Sequence, residues 1–116
     1  MKTHKELNVW QQSISFVTII YSVTKSFPKD ETYGLINQIR RAAVSIPSNI
    51  AEGAARGTNK EFAHFISIAI GSIAELETQL LISKNLNYLD NDIFNTLNDQ
   101  LTDIRKLALG LKKSLS

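Results

Sequence analysis

Apolar residues recur at alternating spacings of four and three along most of this 116-residue chain. The first stretch is Trp10, Ile14, Val17, Tyr21 and Thr24, with Leu7, Phe16, Ile20 and Val23 alongside in a wide face expected to be buried. Another is Phe62, Ile66, Ala69, Ile73, Leu76 and Leu80, and the last is Phe94, Leu97, Leu101, Ile104, Ala108, Leu111 and Leu115. A repeat near 3.5 residues places such side chains on one face of a helix and favours shallow, nearly antiparallel helix packing. The pattern predicts an all-α protein.

Three short breaks, at residues 27–30, 53–59 and 85–90, divide the chain into four segments. Thr58 and Glu61 form the sequence signature of a capping box, so the third helix is expected to begin near residue 59. Asp90 offers a similar cap to the fourth helix. We therefore expect one domain over residues 1–116, folded as an antiparallel up-and-down four-helix bundle.

The second segment, from about Asp30 to Gly53, carries two ordered stripes side by side. The apolar stripe is Leu35, Ile39, Ala42, Ala43, Ile46, Ile50 and Gly53, and the polar stripe is Gln38, Arg41, Ser45, Asn49, Glu52 and Arg56. Pro47 interrupts the helix pattern because it cannot donate a hydrogen bond to the preceding turn. A kink near Pro47 is expected, with a full break at Ile46 as the alternative.

Composition excludes several classes of function. The chain has no cysteine, which removes disulfides, thiol nucleophiles and cysteine-ligated metal sites. Its first residues are polar, and no later stretch was expected to reach the roughly 20 apolar residues of a membrane span. A cytoplasmic location and no membrane partner are the resulting expectations.

The sequence motifs that could bind a metal or a phosphate, or support catalysis, are incomplete. Glu61 and His64 have the spacing of a di-iron ligand pair, but only one such pair occurs, so no metal or other cofactor is expected. Gly53 and Gly57 flank a basic turn that could cradle phosphate, although a helix end or a close helix contact is the simpler interpretation. No nucleophile with a histidine partner and no small-molecule substrate is evident, so the chain is not expected to be an enzyme.

Charge is unevenly distributed along the chain. Residues 1–60 contain 8 basic and 4 acidic side chains, whereas residues 61–116 contain 5 and 7. Candidate nucleic-acid contacts are Arg40, Arg41, Arg56 and Lys60, with a second basic cluster of Arg105, Lys106, Lys112 and Lys113. The alternative is that Arg40 or Arg41 pairs with Glu77 of the neighbouring helix. Trp10 and Tyr21 are expected to be core residues.

Residues 38–53, QIRRAAVSIPSNIAEG, resemble the four-helix-bundle proteins encoded in intervening sequences of bacterial large-subunit ribosomal RNA genes. The likeness extends to residues 7–10, 27–35 and 68–77. It implies a ring-like homo-oligomer, expected to be a homopentamer, and kinship with accessory proteins of diversity-generating retroelements, which associate with a reverse transcriptase and nucleic acid. The resemblance supplies no catalytic residues.

The resemblance also implies a subunit interface built from polar and small motif residues. These are Ser45, Asn49, Glu52, Gly71, Ser72, Glu75 and Glu77. The leading hypothesis is a non-enzymatic, homo-oligomeric scaffold associated with ribosomal or other RNA. The alternative is an adaptor protein for a nucleic-acid enzyme such as a reverse transcriptase.

Overall fold

The computed structural model describes residues 3–116, so the first two residues of the predicted domain lie outside the described part. Four helices follow one another: α1 (Asn8–Thr24), α2 (Leu35–Ala54), α3 (Asn59–Asn85) and α4 (Asn91–Ser114). Short 3-10 turns at His4–Glu6 and Lys29–Glu31 precede α1 and α2. Each helix packs against the next in sequence, and α1 closes the bundle against α4. The predicted four-helix bundle is confirmed.

The helix starts follow the predicted side-chain caps, although the Glu61 carboxylate makes no return hydrogen bond within residues 3–116, so the capping box at Thr58 is only half formed. Thr58 accepts a hydrogen bond of 3.2 Å from the Glu61 amide, and α3 begins at Asn59, as expected. Asp90 accepts one of 2.8 Å from the Ile93 amide at the start of α4. These side chains satisfy amides that have no partner within their own helix.

Helix α2 begins later than the sequence pattern suggested, at Leu35 instead of near Asp30. Residues Lys29–Glu31 form a 3-10 turn, and Glu31 then accepts a hydrogen bond of 3.3 Å from the Leu35 amide. Downstream, α2 is continuous through the buried Pro47, so the alternative of a full break at Ile46 is wrong. A kink at Pro47 stays a prediction.

One apolar core runs between the four helices. Its fully buried large side chains are Phe16, Ile20, Ile39, Ile46, Ile50, Ile66, Ile73, Leu76, Leu80, Leu97, Leu101 and Ile104. On α1, the predicted Phe16, Ile20 and Thr24 are buried together with Val9 and Ser13, whereas the predicted Ile14 and Tyr21 lie exposed. Ser13 and Thr24 can be buried because their hydroxyls donate to the Trp10 and Ile20 carbonyls of the preceding turn.

Helix α3 is apolar beyond its core stripe. Among residues 3–116 it is the one helix whose length and mean hydropathy, 1.5 over its most apolar window, would suffice to cross a membrane. The expectation that no stretch approaches a membrane span is therefore wrong on length and composition. Only 33% of that window is buried in the bundle, and Ile68 and Ile82 lie exposed.

Candidate nucleic-acid interface

The side chain of Arg40 is held against α1 by three contacts. Its Nε donates a hydrogen bond of 2.9 Å to the Thr24 hydroxyl, and its Nη2 donates one of 3.3 Å to the Tyr21 carbonyl. Its guanidinium carbon lies 4.5 Å from the centre of the Tyr21 ring, a cation–π geometry. All three acceptors are uncharged, so the guanidinium is fixed in place while its positive charge remains unneutralised.

Arg40 and Arg41 together line an open groove of about 500 Å³ between α1 and α2. The other lining residues are Tyr21, Thr32, Ile36, Asn37, Val44 and Ser45, which include no carboxylate. Within residues 3–116, Arg41 has neither a hydrogen bond nor an ion pair. Two arginines in a groove without acid form a site that attracts an anion, such as a phosphate.

Two tyrosines near this groove have a solvent exposure that the sequence analysis did not predict. Tyr21 was expected in the core, but its side chain is 39% exposed and forms one wall of the groove. It is displaced because Phe16 and Ile20 occupy the core face of α1 instead. Tyr33, which the sequence analysis did not single out, is 94% exposed and directly follows Thr32 of the groove. The sequence signal that could have identified Tyr33 was the position of an aromatic residue in a turn rather than in a helix.

The other two basic candidates lie at the opposite end of α2. Arg56 forms an ion pair of 3.5 Å with Glu52 and stacks 4.8 Å from the centre of the Phe65 ring. Lys60 lies exposed in the first turn of α3. At ~1.5 Å per helical residue, Arg41 and Arg56 are about 20 Å apart along the helix axis. The structure therefore joins Arg40 to Arg41 but not to Arg56 and Lys60.

Several candidate interface residues find partners within the chain. The Ser45 and Ser72 hydroxyls lie 2.8 Å apart and join α2 to α3. Asn49 donates hydrogen bonds of 2.8 and 2.9 Å to the carbonyl and hydroxyl of Ser45. Glu52 makes the ion pair with Arg56 already described.

Gly71 and Glu75 remain open on the surface of the bundle. A Cβ built at Gly71 would meet no atom of residues 3–116 within 4 Å, so no described helix of the same chain packs closely on this glycine. Glu75 has no hydrogen bond or ion pair within residues 3–116. Both residues are therefore free to contact a second molecule.

Glu77 pairs with a different helix from the predicted one. Its Oε2 accepts a hydrogen bond of 2.6 Å from Nη1 of Arg105, so the partner comes from α4 rather than from Arg40 or Arg41 of α2. Arg40 is unavailable because it is directed at α1. The pairing also places Arg105, one of the second basic cluster, in a structural contact.

Metal-binding side chains do not converge in the part of the chain that the structure describes. No group of three or more His, Asp or Glu residues is positioned there to hold an ion. His64 lies exposed on α3 and packs its ring 5.4 Å from that of Phe65. Thus the sequence pair Glu61 and His64 gains no further ligand from the fold.

Comparisons with known proteins agree with this architecture. Residues 5–110 match the family model described as 23S rRNA-intervening sequence protein. A crystal structure of a protein of unknown function from the S23 ribosomal protein family of Bacteroides thetaiotaomicron superposes with a TM-score of 0.83 at 24% identity, covering 90% of this chain and 95% of that one. No curated protein matches the sequence significantly. Since the family model spans nearly all of the sequence, the chain belongs to the 23S rRNA-intervening sequence protein family.

Proposed function

We propose that this chain is a non-enzymatic, homo-oligomeric scaffold that associates with RNA through the Arg40–Arg41 groove. The observation that carries the proposal is the pair of arginines in a groove lined by no carboxylate. Arg40 is held by Tyr21 and Thr24, so little side-chain freedom is lost when an anion binds. Phosphate contacts of this kind position a nucleic acid without reading its sequence.

Aromatic side chains beside the groove favour single-stranded over duplex RNA. Unpaired bases stack on exposed aromatic rings, and each such contact is worth about 1–3 kcal/mol. Tyr33 is almost wholly exposed, and its neighbour Thr32 lines the groove, so a strand whose phosphates lie at the arginines could stack a base on it. An A-form duplex would offer the protein its backbone and minor groove but no free base face.

Apolar surface outside the core supports the homo-oligomeric part of the proposal. A second groove, of about 300 Å³, lies between α1 and α2 and is lined mainly by apolar side chains, Trp10, Ile14, Val17, Val44 and Pro47 among them. Outside this groove, α3 exposes Ile68, and the exposed Ile82 lines a groove between α2 and α3. Apolar surfaces at two different places on the bundle suit head-to-tail contacts, which close into a ring when the rotation permits. The expectation of five subunits in the oligomer comes from the family resemblance.

Binding of a fluorescently labelled, unstructured RNA to Arg41→Ala tests the RNA proposal. The expected result is a loss of affinity of about tenfold, because one phosphate contact disappears. Lys5→Ala is the matched control, since it removes the same charge from an exposed position in the turn before α1, at the end of that helix away from Tyr21 and Thr24. Equal losses in the two variants would show that only net charge matters and would remove this groove as the binding site.

A further inference from the structure

The guanidinium of Arg40 makes its hydrogen bonds to α1 through only one of its edges. Its Nε and Nη2 atoms donate one bond each, to the Thr24 hydroxyl and the Tyr21 carbonyl. A guanidinium carries five N–H groups, so three remain, two on Nη1 and one on Nη2, without a partner among residues 3–116. The Nη1 and Nη2 atoms at the end of the side chain form the fork that binds two oxygens of one phosphate.

Arg41 adds a second guanidinium to the same groove. It makes no hydrogen bond or ion pair within residues 3–116, and none of the side chains that line the groove is a carboxylate. An internal phosphodiester of RNA has one negative charge and two non-bridging oxygens, which the fork of Arg40 alone can bind. A terminal phosphate monoester has three such oxygens and a charge of about −1.5 to −2 at pH 7. The two arginines together therefore match a monoester better than a diester.

Two surfaces that adjoin the arginine groove are unfavourable for a second phosphate. Arg41 and Asn37 also line the groove between α2 and α3, where Glu75 contributes a carboxylate without a partner among residues 3–116. Val44 joins the arginine groove to the mainly apolar groove that contains Trp10. A strand that continued from the arginines onto either surface would place its next phosphate beside a like charge or against apolar side chains. A strand that ends at the arginines avoids both.

The turn before α2 offers a more suitable surface for the rest of the strand. Thr32 lines the arginine groove there, and Tyr33, which follows it, is almost wholly exposed. A base at the end of the strand can stack on this ring, as unpaired bases do on exposed aromatic side chains. Charge, the number of donors and the surroundings of the groove thus all favour the end of a strand over its middle.

We infer that the Arg40–Arg41 groove binds a terminal phosphate monoester of RNA, at the 5′ or the 3′ end of a strand. The Nη1–Nη2 fork of Arg40 holds two of the phosphate oxygens, and Arg41 binds the third. The inference rests on the proposed association with RNA, and it distinguishes strand ends that carry a phosphate from those that carry a hydroxyl.

Fluorescence anisotropy with all-uridine RNAs, labelled on an internal base, tests this inference in the full-length protein. The probes are a nine-nucleotide strand with a 5′-phosphate, with a 3′-phosphate, or with hydroxyls at both ends. An eleven-nucleotide strand with hydroxyl ends is the charge control, because its two extra diesters carry the charge of one terminal phosphate. We expect at least one phosphorylated strand to bind about tenfold more tightly than both hydroxyl-ended strands, the effect of one charge-assisted hydrogen bond. The strand that binds more tightly identifies the end that the groove holds.

Three variants locate this preference for a phosphorylated end. Arg41→Ala should abolish it, because one fork then remains for a phosphate with three oxygens. Arg40→Lys should weaken it, since lysine keeps the charge but cannot direct one edge at α1 and another at a phosphate. Lys5→Ala, which removes a charge from an exposed position outside the groove, should leave it intact.

Each other outcome contradicts the inference in a recognisable way. Equal binding of the three nine-nucleotide strands would overturn the terminal phosphate site but leave the proposed RNA association standing. If the eleven-nucleotide strand binds as tightly as the phosphorylated ones, total charge explains the preference and the inference falls. A preference that survives in Arg41→Ala or Arg40→Lys would place the terminal phosphate elsewhere on the protein. No binding to any strand would remove both proposals.

Discussion

The hydroxyl of Tyr88, in the α3–α4 connection, donates a hydrogen bond of 3.0 Å to Glu31, 57 residues earlier in the chain. Glu31 also accepts from the Leu35 amide at the start of α2, so one carboxylate joins two connections at the same end of the bundle. The hydrogen bond from Tyr88 to Glu31 is the main reason that the pKa of Tyr88 is raised. Burial and the charges of Glu31 and Asp30 make smaller contributions in the same direction.

The raised pKa of Tyr88 predicts a loss of stability at alkaline pH. The neutral phenol is favoured in the folded state, so its contribution is fully present below the unfolded pKa of about 10 and is lost as pH rises through the higher folded pKa. Urea unfolding from about pH 7 to pH 11 should show this decline in the wild type and a flatter profile in Tyr88→Phe. Tyr33→Phe, which alters a tyrosine that is 94% exposed, should keep the wild-type profile. Identical profiles for all three proteins would contradict the coupling.

Gly53→Ala should destabilise the fold through the contact between α2 and α3. A Cβ at Gly53 would lie 2.7 Å from the Phe65 Cβ and 3.2 Å from the Phe62 carbonyl oxygen, atoms that cannot move without moving α3. Overpacking of this kind costs about 1–3 kcal/mol in the free energy of unfolding. Gly110→Ala is the control, because a Cβ there meets no atom within 4 Å, and it should stabilise α4 by about 0.5–1 kcal/mol. Similar unfolding midpoints for the two variants would contradict the close contact.

The bundle and its caps could be predicted because they depend on local pattern. Apolar spacing identified the four helices, and the hydroxyl of Thr58 and the carboxylate of Asp90 marked two of their starts. The burial of Ser13 on α1 was missed because periodicity counts serine as polar, whereas a hydroxyl that bonds to its own preceding turn can be buried.

Contacts between distant parts of the chain could not be predicted in the same way. Arg40 was identified as a candidate binding residue, but its position depends on Tyr21 and Thr24 of another helix. Arg105 could not be predicted as the partner of Glu77, because that contact depends on how α3 and α4 are rotated about their axes. The spacing of apolar residues in the sequence does not determine this rotation.

The ion pair between Glu77 and Arg105 should stabilise the bundle modestly. Their side chains are 26% and 37% exposed, so solvent weakens a pair whose separation is only 2.6 Å. A double-mutant cycle with alanine at each position should give a coupling of about 0.5–1 kcal/mol that falls with added salt. Glu52 and Arg56, which are 3.5 Å apart with side chains 52% and 47% exposed, should give a coupling near zero. Equal coupling energies for the two pairs would contradict the claim that partial burial strengthens the Glu77–Arg105 ion pair.

Gly71→Arg should prevent assembly without unfolding the bundle. A Cβ at Gly71 meets no atom of residues 3–116 within 4 Å, so a long side chain fits the isolated bundle but would collide with a second copy packed on α3. Light scattering should report an oligomer for the wild type and a smaller mass for the variant, with helix content unchanged by circular dichroism. Gly110→Arg, at a position equally open within the chain, should remain oligomeric. A wild type that is monomeric at micromolar concentration would contradict the proposed homo-oligomer.

The salt dependence of RNA affinity tests the central claim most directly, because phosphate contacts release counterions from the nucleic acid. For an unstructured RNA, the logarithm of the binding constant should fall linearly with the logarithm of salt concentration, by about 0.7 for each phosphate contacted. Arg41→Ala should reduce that slope by about 0.7, the value for one phosphate contact, whereas Lys5→Ala should leave it unchanged. An affinity that does not respond to salt, or the absence of RNA binding at low salt, would contradict the account.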